Sequence, residues 1–278
     1  MLERFDDLAE GLNHPEGVAW NPFDGHVYAG GEQGEIYRVS LDGEVEHLAS
    51  TEGSMLGIVI DGRGRVYACD EGLGQIARLD PATGKVEVYA RGVGGEDMDT
   101  PNVAAFGPDG MLYVTCSGEG GRPEILRVAP GGRTERWCAE VPRYPNGCVV
   151  VPDGSALLVV EAKAQRVVRV GIAADGSAGR PTVFAELPDT DADGIALDGQ
   201  DHVWVTLYRP DGLVRLTPDG REVDRVDDHL ASRMDAPTNL AFVGEELSLA
   251  VIANVGGRHL SIADLGVRGR TMHFPEVP

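Results

Sequence analysis

The feature that most constrains this chain is a repeat. Three marks recur in fixed order: a leading segment, a strand centred on an aromatic residue or leucine, and a strand of the form x-I/V-x-R-V/L. The second mark reads "HVYAGG", "RVYACD", "MLYVTC", "ALLVVE", "HVWVTL" and "LSLAVI". Its centres are Tyr28, Tyr67, Tyr113, Leu158, Trp204 and Leu249, at intervals of 39, 46, 45, 46 and 45 residues. The third mark reads "EIYRVS", "QIARLD", "EILRVA", "RVVRVG" and "GLVRLT", with a weaker copy in "RHLSIA". Turns such as "FDGH", "PDGM" and "GQDH" separate the marks, and the 38 glycines are about twice the usual ~7% share. Short β-branched runs with a period in the mid-forties predict four-stranded blades. Six copies predict an all-β, six-bladed β-propeller, with residues 1–278 forming one domain around a central channel.

The Gly-His and Trp-Asp signature of WD40 blades is missing, and no helical periodicity separates the strand pairs as a solenoid would require. The N-terminal "ERFDDLAEG" resembles the fourth-strand segments "PTVFAELPD" and "TERWCAEVP". It is therefore predicted to supply the outer strand of the last blade, closing the ring and removing an open edge.

The formal charge of −21 argues against nucleic acid and anionic membrane partners, whose phosphates it would repel. No apolar run approaches the ~18–20 residues of a membrane span. The start, "MLERFDDLAEGLNH", lacks a basic stretch followed by an apolar one, so a cytoplasmic protein is expected. Cys69, Cys116, Cys138 and Cys148 show no CxxC spacing, which predicts buried, reduced thiols and neither a zinc site nor a disulfide scaffold.

What is alike in every repeat reads as scaffold. Arg38, Arg78, Arg127, Arg169 and Arg215 are expected to pair on blade surfaces, and Asp109, Asp153 and Asp219 to form turns. The leading segments differ: "HPEGVAW", "SMLGIVI", "TPNVAAF", "YPNGCVV", "DADGIAL" and "APTNLAF". Aligned on the strand mark, they offer Glu16, Gly57, Asn102, Asn146, Asp193 and Asn239, each 10 to 12 residues before its centre. In a propeller these six starts converge near one mouth of the axis, so every side chain at that ring is expected to carry an oxygen. Two carboxylates and three amides facing one point suit a hard divalent cation, calcium first, with zinc, manganese or magnesium as alternatives. The absence of His and Cys from the ring argues against a soft metal. Asn102 and Asn239 are the ring members expected to touch substrate.

The segments "PEGVAW", "YPNGCVVVPDG" and "DADGIALDGQDHVWV" resemble the gluconolactonase and regucalcin family of six-bladed propellers, over essentially the whole chain. That resemblance implies a divalent ion held by Glu16, Asn146 and Asp193, with Asp193 also the catalytic base and Asn102 touching the ion's water or substrate. Relatives of the regucalcin type carry an Arg and an Asp where this chain has Thr100 and Val103, and that Arg helps to hold sugar hydroxyls. The expected activity is metal-dependent hydrolysis of a lactone or similar ester, with His14 a candidate proton donor near the substrate. No Gly-x-Ser-x-Gly elbow offers a serine mechanism. Two rivals stand beside it: a non-catalytic binding module with a structural calcium, or a propeller enzyme of the phosphotriesterase or strictosidine-synthase-like kind. Loops 91–100, 116–124 and 207–212 are the region expected to select a small-molecule substrate. The chain is expected to be a monomer or weak dimer.

Overall fold

In the computed structural model, which describes residues 2–278, each repeat folds as a four-stranded antiparallel meander, and six meanders form a ring. The architecture is the expected six-bladed β-propeller. Only three short 3₁₀ turns interrupt the strands, and no helix among the described residues is long and apolar enough to cross a membrane. The expected closure is present. Phe5–Glu10 is the outermost strand of the last blade and runs antiparallel to His259–Ala263, with Phe5 opposite Ala263 and Glu10 opposite His259.

The repeated marks explain the packing. Tyr28, Tyr67, Tyr113 and Trp204 stand on the second strands and are fully buried between blades. Burying such a ring stabilises by roughly 1.5–3 kcal/mol, but an unpaired hydroxyl or indole N–H would cancel much of that. The turn aspartates supply the acceptor: Tyr28 donates to Asp24 at 2.6 Å, Tyr67 to Asp61 at 3.1 Å, and the Trp204 indole to Asp198 at 3.3 Å. The recurrent arginines pair on the blade surfaces, Arg38 with Glu46, Arg78 with Glu87, Arg127 with Glu135 and Arg215 with Asp198. Arg169 instead donates to the Ser155 hydroxyl. Asp109 and Asp153 each accept a backbone N–H two residues on, and the glycine after Asp109 has φ +83°, which a side chain would resist. All four cysteines are free and buried.

The inner strands are Val18–Asn21, Met55–Ile60, Pro101–Phe106, Pro145–Val150, Asp191–Leu197 and Pro237–Val243. They line the axis and enclose a cavity of about 690 Å³. At the end where these strands finish, residues 266–278 cross the channel as a strap. Its backbone bonds to Leu197 and Leu247 on one side (Arg270 N at 3.0 Å, Gly269 N at 2.7 Å) and to Gly62 on the other (Gly62 N to Pro275 O, 2.8 Å).

Candidate functional site

Five of the six inner strands do not begin as regular sheet. Pairing with the second strand skips residues at the start of the second to sixth: Pro101 faces Cys116 but the next pair is Ala104 with Val114, and Pro145 faces Glu161 but the next is Cys148 with Val159. The skipped residues bulge toward the axis. Two residues upstream, His14, Thr100, Tyr144 and Ala236 hold φ of 46, 58, 65 and 51°. Such left-handed backbone costs non-glycine residues of order 1–3 kcal/mol and concentrates at functional sites.

These landmarks fix the ring, and they correct its register in two blades. Glu16, Asn102, Asn146 and Asp193 stand at equivalent places, as the spacing predicts. In the second blade the equivalent residue is Leu56, not Gly57; in the sixth it is Thr238, not Asn239. The contacts between blades show this. A Cβ on Gly17 would lie 2.0 Å from the Leu56 carbonyl oxygen, one on Gly57 2.7 Å from that of Asn102, and one on Gly194 2.5 Å from that of Thr238. Each glycine follows a ring residue and lies against the next ring carbonyl, so Gly57 is a close-approach residue and not a gap at the ring. Thr238 completes the circle by donating to the Glu16 carbonyl oxygen at 2.8 Å. Asn239 points away from the ring, its carboxamide over Gly194. The ring is therefore not wholly oxygen-bearing: Leu56 is an apolar member.

Around it the electrostatics are unbalanced. Asn102, Asn146 and Asp193 are 3, 5 and 8% exposed, and the carboxamide oxygens of Asn102 and Asn146 are buried without a hydrogen-bond partner. Glu16 keeps partial exposure along the axis, yet the walls exclude enough solvent to raise its carboxyl well above the usual range, with Asp193 and Glu71 adding repulsion. Burial pushes Asp193 up to about 8, opposed only by Asn146. No basic group offsets either carboxyl. Among the described residues no three His, Cys, Asp or Glu side chains gather as a metal-holding group. A cation here would rest on two carboxylates plus amide oxygens.

Several residues that sequence spacing did not single out complete the site. Ser117 accepts the Asn102 Nδ2–H at 2.9 Å and donates to the Pro145 carbonyl at 2.9 Å, which turns Asn102 Oδ1 away from the scaffold. Tyr144 donates to Glu119 at 3.1 Å and lies under the Lys163 ammonium, 4.3 Å from the ring centroid. Glu71 is raised by burial and by the charges of Glu119 and Asp70. Ser117 and Glu71 each follow the last residue of a second strand, the one place where a repeat alignment would have found them. His14, two residues before Glu16, has Nδ1 3.2 Å from Asn13 Oδ1 and 3.0 Å from Glu32 Oε2.

Comparisons with known proteins place the chain in a family. The chain matches the SMP-30/Gluconolactonase/LRE-like region over residues 8–255. It is 26% identical over 227 residues to strictosidine synthase-like 6 of Arabidopsis thaliana, covering 74% of this chain and 58% of that protein. It is 24% identical over 229 residues to a gluconolactonase of Zymomonas mobilis, covering 78% and 59%. The chain thus spans under three-fifths of the length of these curated relatives. The crystal structure of a calcium-binding protein, regucalcin, from Agrobacterium tumefaciens superposes with a TM-score of 0.81 at 20% identity, over 98% of this chain and 96% of that one. With a family match across most of its length, the chain belongs to the SMP-30/gluconolactonase/LRE-like family of propellers.

Proposed function

We propose that the chain is a divalent-metal-dependent hydrolase of a lactone or similar small ester, working at the ring. The observation that carries this reading is the pair of orphaned buried oxygens, Asn102 Oδ1 and Asn146 Oδ1, beside two desolvated carboxyls. Each buried acceptor without a donor costs about 1–3 kcal/mol. A hard cation satisfies such an all-oxygen set, and Glu16 with Asp193 balances a 2+ charge. Glu16, Asn146 and Asp193 would hold the ion, calcium first, with Asn102 beside it. When bound, such an ion supplies Lewis acidity, offsetting the charge that grows on the ester carbonyl oxygen.

The chain's own residues supply the rest. Beside a cation the Asp193 carboxyl ionises in its buried site. It takes the proton of the attacking water and returns it to the alkoxide that leaves as the ester opens, so the proton count closes. The Ser117 hydroxyl holds Asn102 so that its carbonyl oxygen faces the reacting group. Leu56 gives the ring an apolar wall. His14 Nδ1 lies 3.0 Å from Glu32, and in this reading the proton transfer falls to Asp193. At the third blade, Thr100 accepts the Glu119 backbone N–H and offers no guanidinium to sugar hydroxyls, which favours a plainer lactone over an aldonolactone. The similarity to a strictosidine synthase-like protein supports a second reading, a strictosidine-synthase-like reaction without metal.

Metal analysis of the purified chain and a lactone panel, with and without EDTA, separate the two. One divalent ion per chain and an EDTA-sensitive turnover lost in Asp193→Ala support the hydrolase. No bound ion, with turnover surviving EDTA, overturns it. A bound ion without turnover of any ester points to a binding module.

A further inference from the structure

We propose that the lower half of the channel is a second binding site, taking a neutral, largely apolar small molecule with few hydrogen-bonding groups. The cavity there, about 690 Å³, falls inside the ~300–1,000 Å³ range of small-molecule sites. None of Glu16, Asn102, Asn146 or Asp193 lines it, so it is distinct from the ring above. Its walls come from the regular part of the inner strands, including Val18, Val59, Val103, Ile195, Leu240 and Phe242.

The polar groups that reach it define the ligand. Arg270 at the rim is committed to Asp201 (Nε to Oδ1, 2.9 Å), Asp24 accepts the Tyr28 hydroxyl, and His273 Nε2 lies 3.2 Å from the Val151 carbonyl oxygen. The remaining rim carboxylate, Glu245, is exposed to solvent. The walls therefore offer no uncompensated charge to an ion. Asn239 is different. Its carboxamide lines the cavity over Gly194, and no side-chain hydrogen bond among the described residues uses it. With the Trp20 indole N–H and the Thr271 hydroxyl, which also line the cavity without a side-chain hydrogen bond, Asn239 gives an apolar chamber a few neutral polar groups, and such a chamber selects a molecule with few donors or acceptors. The lower mouth exposes Phe23 and Met272 at 55 and 39%, with Phe23 edge-on to Phe274 of the strap at 5.8 Å. Apolar groups that water touches at a channel mouth mark an entrance for an apolar guest.

N-phenyl-1-naphthylamine, which is neutral, aromatic and bears one N–H, brightens on leaving water and tests the site directly. Saturable uptake of one molecule per chain is expected, unchanged by EDTA or by Asp193→Asn. Filling the chamber with Ala241→Phe, or its floor with Thr271→Trp, should weaken uptake about tenfold or more. Asn239→Ala should weaken it about fivefold. Thr271 is on the exposed strap, so Thr271→Trp carries the test if Ala241→Phe does not fold. Uptake that never saturates, or that both filling variants leave unchanged, overturns the proposal.

Discussion

In the upper half of the channel five of the six inner strands begin as bulged, partly left-handed backbone, and the first is preceded by left-handed His14; in the lower half the strands run as regular sheet. The bulges release Asn102, Asn146 and Asp193 from the sheet's alternation, and Glu16 stands ahead of its strand, so that their side chains reach the axis. Below them, regular pairing sends side chains alternately into the two neighbouring interfaces, where Ile58 packs with Tyr28 and Ile195 with Val160. Mostly small or apolar groups then border the axis, with Asn239 the main polar exception. One strand thus serves two chemistries, and the change takes place within two or three residues. Local irregularity, more than residue type, decides where polar groups face the axis.

The sharpest way to break this comparison is Glu16→Gln. It keeps the shape and removes one of two charges, so divalent affinity by calorimetry should fall at least roughly tenfold, and plausible losses reach about a hundredfold. Uptake of the apolar fluorophore below should not move. If the metal affinity is unchanged, the upper half is not a cation site. Ser117→Ala comes next. By freeing the Asn102 carboxamide it should lower metal affinity or kcat/KM by about tenfold, and Ser117→Thr should restore most of the loss. A neutral Ser117→Ala would show that Asn102 needs no orienting.

A separate test of the carboxyl pair concerns pH. Asp193 stands near 8 in the metal-free fold, against about 3.9 when unfolded. Between those values the folded state holds more protons than the unfolded chain, so stability must fall as pH rises. The metal-free Tm should therefore decline from pH 5 to 8, and saturating calcium should flatten the slope. A metal-free Tm that rises over this window contradicts the desolvated carboxyl pair.

Much of this was legible in the sequence, for a physical reason. Each blade carries its own strand pair and turns, so the period, the blade count and even the closing strand "ERFDDLAEG" are visible as local pattern. Glu16, Asn102, Asn146 and Asp193 emerged because each is a carboxylate or carboxamide with a proline before it or a glycine after it. Leu56 and Thr238 did not. They lie 11 residues before Tyr67 and Leu249, yet polar or small neighbours one step later drew the alignment to Gly57 and Asn239. A bulge hides its register because residues it skips leave no alternation to count. Ser117 and Tyr144 were obscure for another reason: their roles depend on contacts to Asn102 and Glu119 on other segments, which no local pattern encodes.

The hydrogen bond from Thr238 to the Glu16 carbonyl spans 222 positions of the chain, and it has a consequence for biogenesis. Glu16 leaves the ribosome 222 positions ahead of Thr238, on the blade that braces it. Until Pro237–Val243 docks and Phe5–Glu10 adds to His259–Ala263, the first carboxylate has no neighbour on one flank. Long-range closure of this kind is slow. A chain whose last blade has not docked can hold folded blades but not a finished ring, so metal binding at the ring would report that circular assembly is complete.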